Sequence, residues 1–207
     1  TVTASDPVAK LNDSKALDTG VGLLIGDYNR NGIKDVGEDT IFISLADAKT
    51  IIDSSNKGGN NGVFMLGRDV VATWLNYLAN NPEAGTEDCI GLASDPMSVR
   101  HFLDDAIDWL QQFASDQNDI GELGSASSFA IFELENVKTS KPAWSTAFTG
   151  VAGTADDIDH SGAQLHSALD YYNNTGHTIL GSTISQEYCC SADNHVALFA
   201  LSQIELI

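Results

Sequence analysis

Basic residues are scarce in this chain. Ten lysines and arginines stand against 29 aspartates and glutamates, a net charge of −19. Nucleic acid is therefore not an expected partner, because no basic face is available to meet phosphates. Anionic lipid surfaces should repel the chain, and phosphorylated substrates would find few cations to hold them. No apolar run approaches the roughly 20 residues of a membrane span, so membrane insertion is not expected. The sequence begins at Thr1 without a charged-then-apolar leader, which reads as a processed mature chain or a trimmed piece of a longer one.

Cysteine is scarce too. Cys89, Cys189 and Cys190 form no Cys-x-x-Cys and no Cys/His cluster of zinc spacing. Neighbouring cysteines pair badly with each other, so the expected bridge runs from Cys89 to Cys189 or Cys190. It would close a loop of about 100 residues and contribute roughly 4 kcal/mol by chain entropy. The third thiol would stay free or pair between molecules. Catalytic signatures are missing as well. There is no Gly-x-Ser-x-Gly elbow, no Ser-x-x-Lys, no phosphate loop and no dinucleotide fingerprint. Glu133 and Glu135 do not argue for a glycosidase in a chain with 29 acids. Nothing specific supports an enzyme.

Hydrophobic residues make up 43% of the chain, enough for a real core rather than a disordered acidic tail. The most informative stretch is Asp27-Tyr28-Asn29-Arg30-Asn31-Gly32-Ile33-Lys34-Asp35-Val36-Gly37-Glu38. Counted from Asp27, side-chain oxygens fall at positions 1 (Asp27), 3 (Asn29), 5 (Asn31), 9 (Asp35) and 12 (Glu38). Gly32 stands at 6, where a calcium loop turns sharply, and Ile33 at 7 need offer only its carbonyl. Calcium takes six to eight hard oxygens, and alternate oxygens on a tight loop supply them. The expected Ca²⁺ ligands are therefore Asp27, Asn29, Asn31, Ile33, Asp35 and Glu38.

This loop resembles the calcium loops of EF-hands, of dockerins and of repeats in surface adhesins. The resemblance spans about residues 26–52 and implies a secreted surface protein of bacterial or archaeal type. Ile43 to Ile52 looks like the helix that follows a dockerin loop. Position 12 departs from dockerins, which carry Asp there, and no second full copy of the loop follows. Asp157-Ile158-Asp159-His160-Ser161-Gly162 matches positions 1, 3, 5 and 6 only, since Leu165 and Ala168 occupy 9 and 12. It reads as a partial site or as an acidic turn opening a helix.

The whole reads as one compact domain over 1–207, α+β and predominantly helical, with an EF-hand-like loop and some short strands. An extended arm covers 1–20, the calcium loop and its helix 21–55, a helical pair 63–115, and a mixed part 125–207. The apolar run Val21–Ile25 enters the loop, and Leu45–Ile52 follows it as a short helix. Val70, Val71, Trp74, Leu75 and Leu78 recur at helical spacing and predict a helix from about Leu66 to Ala79. Asp95-Pro96 predicts the start of the next helix. Its apolar stripe is Val99, Phe102, Leu103, Ala106, Ile107, Leu110 and Phe113, with Asp104, Asp105 and Asp108 facing water. Residues 125–137 read equally as helix or strand, and 138–154 as loop with extended pieces. Ser161–Asn173 predicts a capped helix ending before Gly176, and Thr178–Ser185 a strand. Val196–Ile207 is apolar and needs a core to enter.

His101, His160, His166, His177 and His195 lack zinc-helix spacing and read as surface or partnered side chains. The sequons at Asn12 and Asn173 offer sites for glycan. Together these features suggest a secreted, calcium-binding structural protein that self-associates into an extracellular filament, sheath or surface layer. A dockerin-like or lectin-like binding module and a secreted hydrolase with a structural calcium are the alternatives.

Overall fold

The computed structural model describes residues 22–30, 32, 38–53, 59–80, 90–123, 127–147 and 160–188. The N-terminal arm, the three cysteines, Asn12, His195 and the apolar C-terminal run all lie outside them.

Two apolar tetrapeptides form one side of a sheet. Gly22–Ile25 (β1) pairs antiparallel with Ile41–Ser44 (β2), Leu23 opposite Ile43 and Leu24 opposite Phe42. Leu23, Leu24, Ile25, Ile41, Phe42 and Ile43 are all buried. Continuous apolar runs of this kind suit strands covered on both faces. Leu45–Ile52 (α1) follows β2 directly, and Ser44 caps it by accepting from the Asp47 N–H. Gly62–Asn80 (α2) begins four residues before the predicted Leu66. Asn61 supplies the reason: its Oδ1 accepts from the Val63 N–H at 3.1 Å.

Val99–Phe113 (α3) starts later than Asp95-Pro96 predicts. Asp95 is used in a preceding turn, where its Oδ1 accepts from the Met97 N–H at 3.0 Å. Ser98 takes the cap instead, accepting from the His101 N–H at 2.9 Å. The ambiguous 125–137 segment resolves as a strand, Ser127–Phe132 (β4), antiparallel to Ser115–Leu123 (β3). β4 also pairs parallel with β2, so the sheet order is β1-β2-β4-β3. Within the expected loop region lies a short helix, Pro142–Ser145 (α4).

Gly162–Thr175 (α5) has the predicted Ser161 cap, reinforced by a capping box with Gln164, and closes at Gly176. The expected strand at 178–185 is a minimal hairpin, Ile179–Leu180 (β5) with Thr183–Ile184 (β6). Among the described residues the fold is thus α+β with five helices, and none is long and apolar enough to cross a membrane.

α2 is the spine, packed on α1, α3 and α5. Trp74 of α2 and Trp109 of α3 are fully buried. Trp144 of α4 meets Trp109 edge-to-face at 5.7 Å. Gly162 lets α5 approach this pair, since a Cβ there would lie 2.7 Å from one indole and 2.9 Å from the other. α5 locks to α2 through Asn173, whose Oδ1 accepts from Thr73 and Asn76 and whose Nδ2 donates to the Asp69 carbonyl. That amide is the atom a glycan would need, so glycosylation at Asn173 competes with the α2–α5 interface.

Candidate functional site

The predicted calcium loop leaves the end of β1 and returns into β2. Gly26 sets its entry: φ is +89°, and a Cβ there would collide with the Asp39 carbonyl. Asp27 at position 1 is fully buried, and its Oδ2 accepts from the Gly32 N–H at 2.7 Å. Position 12 folds back onto position 3, with Asn29 Nδ2 3.4 Å from Glu38 Oε1. The structure therefore pairs Asp27 with Gly32 and Asn29 with Glu38. Asn31, Ile33 and Asp35 lie outside the described residues.

Tyr28, between the first two of those oxygens, anchors the loop to the helices. Its ring meets Trp74 at 5.4 Å and Tyr77 at 5.7 Å, both edge-to-face. The Arg100 guanidinium covers it at 4.0 Å. Its hydroxyl donates to Asp104 Oδ1 at 2.6 Å. Burial pushes the Asp104 carboxyl up to about 7, against the Tyr28 and Arg100 contacts that favour its charge, and nearby Asp39 adds to the rise. Asp104 was expected to face water. It instead serves as the acceptor that fixes Tyr28, because a partner 76 residues away reaches it.

Asp105 corrects the same expectation. It is buried and stands one turn beyond His101 on α3. His160, immediately before the α5 cap, places Nδ1 2.7 Å from Asp105 Oδ2. His101 Nε2 approaches the same oxygen at 3.8 Å. One donor atom from each of His101, Asp105 and His160 lies within 4.8 Å of the others. His160 is buried, and His101 remains partly open to solvent. The four-residue step from His101 to Asp105 puts both on one helix face, a signal present in the sequence. Nothing local indicates that His160 completes the group.

No family model, curated protein or solved structure matches the chain.

A third polar pair joins α2 to α5. His166 Nδ1 is hydrogen-bonded to Asp69 Oδ2. Burial raises the Asp69 carboxyl to about 6, while the hydrogen bond to Asp69 raises the His166 imidazole above its usual value. The pair ties two helices together, with Asp69 buried and His166 partly exposed. His177, by contrast, faces the backbone of the small hairpin, with Nδ1 3.1 Å from the Ser185 carbonyl.

The partial loop at 157–162 is described only at its end. There His160 faces Asp105 and Ser161 caps α5, with Oγ accepting from the Gln164 N–H at 3.3 Å. These last residues serve the helix start.

Proposed function

We propose that the chain is an extracellular calcium-binding structural protein, a self-assembling subunit of a filament, sheath or surface layer. The observation that supports the calcium reading best is the return of Glu38 to Asn29, at 3.4 Å. A loop that folds its third and twelfth positions together helps to concentrate the hard oxygens calcium requires. Carboxylates at Asp27, Asp35 and Glu38 are few for a cytosolic sensor and suit the higher calcium of an extracellular setting. In this role the ion clamps β1 and β2 at their shared loop and stabilises the fold by mass action. The acid excess supports the same reading, because bound divalent ions offset self-repulsion between subunits.

Calorimetry with 5 mM CaCl₂ against EDTA tests the calcium part. Calcium should raise the melting temperature by several degrees in the wild type and leave Asp27→Asn unmoved. Equal melting curves with and without chelator would refute it. Electron microscopy of concentrated protein in calcium tests assembly, and the expected result is ordered polymers that disperse in EDTA. A monodisperse monomer under those conditions would remove the structural role.

A further inference from the structure

We infer that His101, Asp105 and His160 form a second metal site, one for a divalent transition ion of the zinc class and separate from the Asp27–Glu38 loop. His101 carries the argument. Its Nδ1 lies 3.2 Å from the Ala93 carbonyl oxygen. A carbonyl only accepts, so Nδ1 holds a ring proton and Nε2 is the ring nitrogen turned towards Asp105. It stands 3.8 Å from the Asp105 carboxylate oxygen. The gap is too long for an N–H···O hydrogen bond, but it lies within the span of two metal bonds of about 2.0–2.2 Å. His160 delivers the third donor to the same carboxylate oxygen at 2.7 Å.

The surroundings fit a ligand set. The Ala93 carbonyl holds His101 as an outer partner orients a metal-bound histidine. Phe102 packs on His160 at 5.0 Å and fixes its ring. The capping box at Ser161 and Gln164 holds the backbone that carries His160. Tetrahedral coordination would place the donors about 3.3 Å apart, so His160 must withdraw slightly from Asp105 while His101 closes in. Both movements are side-chain adjustments. Two imidazoles and one carboxylate select a borderline ion over calcium. The partial exposure of His101 leaves room for a water as fourth ligand.

Cobalt(II) is the probe, because it reports its ligands by visible absorption. Full-length protein stripped with chelator is titrated with CoCl₂ in the presence of 5 mM CaCl₂. The expected result is one equivalent of a low-symmetry visible band that ZnCl₂ displaces. Asp105→Asn keeps the shape and should weaken cobalt binding by at least about 100-fold, as should His101→Gln. Circular dichroism of both variants verifies the fold. If His101→Gln does not fold, Asp105→Asn alone decides. Asp27→Asn should retain the band, which separates this site from the calcium loop. No band in the wild type, a band unchanged in Asp105→Asn, or one lost in Asp27→Asn would each overturn the assignment.

Discussion

The calcium loop proposed at Asp27–Glu38 and the metal cluster inferred at His101, Asp105 and His160 would gather their donors in opposite ways. The loop draws on twelve consecutive residues, and its spacing is written along the chain. The cluster joins one face of α3 to the residue before α5, 55 positions later. Both lean on the same helix. Asp104 of α3 holds Tyr28 of the loop, and its neighbour Asp105 holds His160. Adjacent carboxylates on one helix thus serve two different parts of the molecule. A contiguous site can be read before folding, whereas an assembled one exists only once the helices have packed.

The comparison breaks most completely if their shared support is removed. Trp109→Ala empties the fully buried core position beneath α3 and should cost about 3–5 kcal/mol. Urea denaturation measures the loss, and both metal responses should fall together. If only one falls, the two sites do not share α3 as their support. The next largest effect separates them. Tyr28→Phe removes the hydroxyl that donates to Asp104, leaving a half-buried acceptor without that donor, and should cost about 1 kcal/mol. It should lower the calcium-dependent shift in melting temperature while leaving cobalt binding intact. An unchanged calcium shift would detach Tyr28 from the loop's function.

The Asp69–His166 pair offers a control that touches neither site. Both groups bind their protons more tightly in the folded chain than in the unfolded one. The Asp69 contribution is fully present below the ordinary value of 3.8 and is lost as pH rises towards about 6. That of His166 is fully present below 6.5 and is lost as pH rises through its raised value. Melting temperature should therefore decline with rising pH from about 4 to above 6.5. Asp69→Asn should flatten the whole of that profile, because the Asp69 carboxylate is also what raises His166, whereas His166→Gln should flatten only the upper half. A slope of the opposite sign in the difference between wild type and variant would reject the assignment. The smallest effect belongs to Ser161→Ala, which removes the α5 cap and should cost about 1 kcal/mol. It should weaken cobalt more than calcium, because it loosens the backbone carrying His160.

Local signals in the sequence carried over well to the helices. Leu45–Ile52 is the helix its pattern predicts, and Ser161 and Gly176 bound α5 as capping chemistry requires. Non-local choices were not legible. Asp95 and Ser98 are both good caps, and the turn at Met97 decided between them. Asp104 and Asp105 look like solvated acids on the polar side of an amphipathic helix. Their partners are Tyr28 and His160, which no local window contains. The segment 125–137 had no decisive period, and pairing with β2 and β3 settled it as strand. The same limit hid the His101–Asp105–His160 group: its i, i+4 half was readable and its third member was not.

The parallel pairing of β2 with β4 bears on how the chain folds in time. Between these strands run α1, α2, α3 and β3, so Ile41 and Phe42 meet Ala130 and Ile131 only by closing a long loop. Such distant contacts delay folding, while the nearby β1–β2 ribbon closes a short loop and forms early. An ion bound in that ribbon would act before the rate-limiting step. Calcium should then accelerate refolding, rather than only slowing unfolding.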